Sequence, residues 1–135
     1  MCIRDSFLFT TLGFVVSARQ AVVFGIGDGL LAVNGEVRRL TAADNAPAYL
    51  GYGLTASSFD EGALRFEVHD QRPRADVRSL LVATDGAFEI GGLPDFWEQD
   101  RYFQNPFNVG RRLTQLNRRP AVLGDDTTVI VARAR

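Results

Sequence analysis

Two nearly continuous apolar runs open the chain, Phe7 to Ala18 and Ala21 to Ile26, with a turn around Ala18-Arg19-Gln20 between them. Both are rich in β-branched and aromatic residues, and their unbroken apolar character predicts strands buried on both faces. Gly25-Ile26-Gly27-Asp28-Gly29 breaks the second run. Leu30 to Val33 and Glu36 to Leu40 then flank Asn34-Gly35, which predicts a tight hairpin, because a type I′ turn needs positive φ at both central residues. Thr41 to Phe59 is turn-rich, with Tyr49, Leu50, Tyr52 and Leu54 as expected anchors. From Ala63 to Asp70 the pattern alternates, predicting a half-buried strand with Leu64, Phe66 and Val68 inward and Arg65, Glu67 and His69 outward.

Gln71 to Arg78 reads as a charged connector, and Ser79 to Thr84 as a short buried strand ending at Asp85-Gly86. The period then changes. Asp95 to Tyr102 carries Phe96, Trp97 and Tyr102 on a short helix or irregular turn. Asn105-Pro106 predicts the start of a helix, with Asn as cap and Pro at the first position. Val109, Leu113 and Leu116 form its apolar stripe, Arg111, Arg112 and Arg118 lie off it, and Pro120 ends it. Gly124-Asp125-Asp126 is a turn before a last strand, Thr127 to Ala134, with Val129 and Val131 on one face. Trp97, Tyr102, Phe103 and Phe107 are expected to pack onto the sheet.

Composition narrows the functional classes. The 135 residues are 46% hydrophobic and 23% charged, the balance of one folded domain, with no room for a second. Fifteen basic residues, all Arg, against sixteen acidic ones give a net charge of -1, which argues against a nucleic-acid partner. One Cys, at position 2, excludes an internal disulfide and a Cys-based zinc site, and the single His69 makes a His-based triad or metal cage improbable. No apolar run approaches the ~18 residues of a membrane span, so no membrane partner is expected. The Arg4 flank, the apolar Phe7 to Val16 and the Val16-Ser17-Ala18 triplet have the outline of a secretory signal. Asp5 in the flank and Thr10-Thr11 in the run favour a strand instead, in a cytoplasmic protein. The opening Met-Cys-Ile-Arg-Asp-Ser looks like translated sequencing adapter, so residues 1–6 are expected to be a non-native leader.

Three Asp-Gly or Asp-Asp turns adjoin apolar strands: Asp28, Asp85 and the pair Asp125-Asp126. Carboxylates at strand ends can converge at one edge of a sheet, where hard ions such as magnesium and manganese take oxygen ligands. Asp and Gly are also the commonest turn residues, so each motif alone fits a plain turn.

Together the motifs resemble a family. Leu80 to Gly86 is similar to the "apolar strand, then Ser/Thr/Cys-Asp-Gly" motif of the metal-dependent protein phosphatases of type 2C. Asp125-Asp126-Thr127-Thr128 with the strand after it resembles that family's last motif. Ile26-Gly27-Asp28-Gly29 and the Asn34-Gly35 hairpin resemble its Gly-Asp-Ser/Gly strand, and Phe96 to Leu116 is similar to the helical insert of a bacterial branch.

The resemblance implies an α+β fold, the C-terminal portion of a four-layer α-β-β-α sandwich of mostly antiparallel strands with a helix near the C-terminus, spanning residues 7–135. It implies hydrolysis of phosphoserine and phosphothreonine in phosphoprotein substrates with Mg2+ or Mn2+. Asp85 and Asp125 are the implied metal ligands, with the backbone of Gly86 beside the metal and Asp28 at an additional, looser metal. The family's Asp-Gly-x-Gly-Gly motif, which bridges both metals, does not occur here, nor does its phosphate-holding Arg. The chain therefore reads as a truncated phosphatase, expected to be inactive alone; the alternative is a non-catalytic fragment or pseudophosphatase serving as an interaction module.

Overall fold

A computed structural model describes residues 9–41, 65–118, 123 and 125–134. Thr41 and the chain beyond it to Leu64, including the expected anchors Tyr49 to Leu54, are outside that set except for Thr41 itself, as are residues 1–6, Pro120 and Gly124. Seven antiparallel strands are formed by the described residues: β1 Thr11–Val16, β2 Gln20–Ile26, β3 Gly29–Val33, β4 Glu36–Leu40, β5 Glu67–Pro73, β6 Ser79–Ala83 and β7 Val129–Arg133. They make a three-stranded sheet, β1-β2-β5, and a four-stranded sheet, β4-β3-β6-β7. Three helices follow β6 in sequence: α1 Asp95–Glu98, α2 Arg101–Gln104 and α3 Phe107–Asn117. None of the described helices is long and apolar enough to cross a membrane.

The period-2 rule explains how the layers stack. In β3 and β6 every residue is buried, and alternate side chains serve different cores. Leu31, Val33, Leu80 and Val82 meet Ala21 and Val23 of β2, with Leu12 and Phe14 of β1 packed against them, between the two sheets. Leu30, Ala32, Leu81 and Ala83 point the other way, onto Phe96, Trp97, Tyr102 and Leu116 of the helical layer. Unbroken apolar strands are what a sheet covered on both faces requires. The described residues thus form a β-β-α stack, part of an α-β sandwich. No described helix covers the far face of the three-stranded sheet, where Val15, Phe66 and Val68 are exposed.

The hairpin forms as expected: Asn34 sits at φ 54° and Gly35 at φ 89°. Asn34 does more than turn. Its Oδ1 accepts the Arg78 and Ser79 N–H groups at 2.7 and 3.2 Å, and its Nδ2 donates to the Asp76 carbonyl at 2.7 Å. One turn residue thereby fixes the chain entering β6. At α3, Asn105 Oδ1 accepts the Phe107 N–H at 3.0 Å while Pro106 is already helical at φ -62°.

Three expectations need correction. β1 is only half-buried: Val15 is exposed because no described layer covers the outer face, and Val16 because it ends the strand at the sheet edge. The alternating strand starts later, at Glu67, and runs through Gln71 to Pro73, which the sequence presented as connector. Its register against β2 slips at Val23/Phe24, so Val23 faces Asp70 but Phe24 faces Val68, leaving His69 as the extra residue of a bulge. Val68 is therefore exposed and the His69 Nε2 atom buried, the reverse of the simple alternation.

The bulge also aims Asp70 at a charged seam between the sheets. Asp70 accepts two hydrogen bonds from Arg72, at 2.7 and 2.6 Å, and one from Arg38 of β4 at 2.8 Å. These bonds hold its carboxyl below the ordinary carboxylate range, the Arg72 hydrogen bonds being the main cause.

Candidate metal centre

The four-stranded sheet carries all three candidate aspartates at one end, and its ladder shows why. Leu30 of β3 faces Ala83 of β6, and Ala83 faces Val129 of β7. Asp28 lies two residues before Leu30, Asp85 two residues after Ala83, and Asp125 four residues before Val129. Antiparallel neighbours send the start of one strand and the end of the next to the same edge.

Beyond the ladder the ends of β6 and β7 are stitched by threonines. The Thr84 N–H donates to the Thr128 carbonyl at 3.1 Å, and the Thr128 N–H donates to Thr84 Oγ1 at 3.0 Å. The Thr84 hydroxyl donates in turn to the Asp126 carbonyl at 3.1 Å, and the Thr127 hydroxyl to the Asp125 carbonyl at 3.0 Å. The sequence motifs included these threonines but gave them no role. Their signal was their position, one residue before Asp85 and two or three after Asp125.

Gly86 makes the approach possible. A Cβ there lands 2.6 Å from Thr127 Oγ1, 2.7 Å from the Asp126 carbonyl oxygen and 2.9 Å from that of Asp125. Only a residue without a side chain lets the Asp125–Thr127 backbone lie this close to the turn opened by Asp85. Asp85 Oδ1 accepts the Gly86 N–H at 2.9 Å, and Asp125 Oδ1 accepts the Asp126 N–H at 2.7 Å. One oxygen of each carboxylate is thus fixed by backbone. Neither Oδ2 has a hydrogen-bond partner among the described residues.

Asp28 is held differently. Its Oδ1 accepts the Thr10 hydroxyl at 2.6 Å, tying the β2–β3 turn to the start of β1. Asp126 is exposed, and its carbonyl, not its carboxylate, faces β6. The structure brings Asp85 and Asp125 together through Gly86 and puts Asp28 at the same sheet end. No group of three or more His, Cys, Asp or Glu close enough to share a metal forms among the described residues. Hard carboxylate oxygens suit magnesium or manganese, and magnesium commonly binds through one or two carboxylates with waters filling the rest. Asp85 and Asp125 have the oxygen-donor chemistry such an ion takes, and the described residues make no closed cage.

A family model for Protein phosphatase 2C matches residues 3–119. The chain belongs to this family, an assignment that carries with it a protein-phosphatase type of hydrolase. The match includes Asp28, Asp85 and Gly86, while Asp125 lies past its end. No curated protein and no solved structure matches the chain.

Proposed function

We propose that this chain carries the Asp85/Asp125 part of a magnesium- or manganese-dependent phosphatase acting on phosphoserine and phosphothreonine in protein substrates, of the bacterial branch and working in the cytoplasm. The supporting observation is the contact of Gly86 with the Asp125–Thr127 backbone, which joins the Asp85 turn to the Asp125 segment at one end of the β6–β7 pair. In this reading Asp85 and Asp125 offer their free oxygens to the metal, and Asp28 serves a looser position. Bound there, Mg2+ or Mn2+ supplies Lewis-acid activation of water toward phosphorus. The chain's own contribution is orientation: the Gly86 and Asp126 N–H groups hold one oxygen of each carboxylate, and the threonine stitches keep the two strand ends in register. Because the Asp-Gly-x-Gly-Gly motif is absent from the sequence, the 135-residue chain by itself has negligible activity.

Thermal melting in manganese tests the site. At ten times the dissociation constant, binding adds about 1.4 kcal/mol to folding stability, which raises the midpoint by a few degrees. Asp85→Asn and Asp125→Asn each remove most of that rise, and Asp76→Asn, on the β5–β6 turn, leaves it intact. An undiminished rise in both site variants overturns the assignment. Manganese-dependent phosphopeptide hydrolysis by the 135-residue chain overturns the expected inactivity.

A further inference from the structure

The helical layer has a face that the core does not use and that only borders the Asp125 hollow, at Thr114. Val109, Leu113 and Leu116 turn α3 toward the sheet. On the opposite side, Phe107, Arg111, Thr114 and Arg118 follow at intervals of four, three and four residues, and so share one stripe about 16 Å long at 1.5 Å per residue. All four are exposed, and Phe107 leaves 74% of its surface in solvent, the most exposed large apolar residue described. An open groove of about 580 Å³ runs along this stripe, with Arg111 and Arg118 in its wall. Arg111 also borders a second hollow that contains Arg101 and Arg112.

Among the described residues no carboxylate pairs with the cations of this face. Arg38, Arg72 and Arg133 are paired with carboxylates, but among the described residues Arg101, Arg111, Arg112 and Arg118 have none within ion-pair distance. Arg101 instead stacks on the Tyr102 ring, 4.8 Å from its centre. Four cations are thus gathered on one surface of a chain whose net charge is -1. Solvation alone explains exposed arginines. It does not explain a phenylalanine held out among them, since an exposed aromatic flanked by arginines is the composition of a binding anchor.

We infer that the Phe107–Arg111–Arg118 face of α3 docks an acidic segment of a protein partner, one that presents carboxylates or phosphates at helical or extended spacing around an apolar side chain. Guanidinium forks match those anions in pairs, and the apolar side chain covers Phe107. A long polyanion fits less well, because one aromatic gives no run of stacking platforms and the acidic remainder of the chain repels it. Thr114 of the stripe also lines, with Leu113 and Asn117, the hollow that holds Asp125 to Thr127, so a partner on the stripe lies directly beside Asp125. The inference concerns binding alone and stands without the phosphatase reading.

The test is fluorescence anisotropy with the full chain and a labelled peptide of Asp-Glu pairs separated by Leu, at two salt concentrations. The wild-type chain is expected to bind, and binding weakens as salt rises. Arg111→Glu with Arg118→Glu is expected to weaken it by about tenfold or more, and Phe107→Ala by about fivefold. Arg78→Glu, an exposed charge reversal just before β6 and outside both hollows, leaves it unchanged. Circular dichroism checks that each variant is folded. Absence of wild-type binding overturns the inference, as does equal affinity in the double charge reversal. Tighter patch-dependent binding of a thymidine oligonucleotide than of the peptide also overturns it, in favour of a nucleic-acid face.

Discussion

Thr84 and Thr128 exchange two hydrogen bonds just past the last ladder pair of β6 and β7, at 3.1 and 3.0 Å. This exchange carries strand geometry one step beyond the sheet, to the residue that precedes Asp85. Side-chain and backbone groups are both used, so the end of β6 stays fixed to the start of β7 even where the chain has left the regular ladder.

Gly86→Ala is the sharpest probe of that arrangement. The added methyl meets the Asp125 and Asp126 carbonyls, backbone atoms that cannot rotate away. A loss of about 1–3 kcal/mol is expected from the forced shift, read as a lower urea midpoint with the same slope. The manganese-induced rise in melting temperature should shrink with it. A variant as stable as the wild type means the Asp125–Thr127 segment can move aside freely.

Asp70→Asn should cost about 2 kcal/mol at neutral pH, because its side chain is only 11% exposed and charged hydrogen bonds from two arginines are lost. The pH dependence follows from the depressed folded-state pKa. The unfolded chain takes up the proton first, so the carboxylate's contribution is complete above its ordinary value of 3.8 and is lost as pH falls through the lower folded value. Wild type and Asp70→Asn should therefore converge in stability in strong acid. Urea midpoints measured from pH 7 down to pH 2 check this, and a constant gap contradicts it.

His69 titrates in a separate window. Burial lowers its pKa from the ordinary 6.5; the Glu67 carboxylate pulls the other way and Arg38 adds to the lowering. The folded protein thus holds the ring neutral where the unfolded chain protonates it. Stability from this source is present above pH 6.5 and declines as pH falls through the folded value. His69→Gln should flatten the stability profile between neutral pH and pH 5 without touching the Asp70 transition below it. NMR titration of the His69 ring giving a value at or above 6.5 refutes the expectation.

Much of the molecule could be read from local chemistry. Asn34-Gly35 demanded its turn, Ser79 to Thr84 read as a short buried strand, and Asp85-Gly86 marked its end. What escaped was decided by partners distant in sequence. Alternation put His69 with Arg65 and Glu67, but a slip in the ladder against Val23 and Phe24 reversed it. Gln71 to Pro73 carried no apolar residue facing inward because an ion pair, Asp70 with Arg72, takes that place; the two-residue spacing of opposite charges was the available signal. Phe107 read as core by its type, yet its place on the wheel, opposite Val109 and Leu113, turned it outward.

The register of β3, β6 and β7 has one more consequence. Each aspartate's position is set by a hydrogen-bonded ladder whose next allowable arrangement lies two residues away, a slide of about 7 Å, since a one-residue slip exchanges the faces of every side chain. The pairing of the strands that lead to Asp28, Asp85 and Asp125 is consequently quantised. A slip of one strand would therefore move its aspartate by a whole step, and only the short turns between the ladder and each carboxylate can adjust the geometry offered to a ligand.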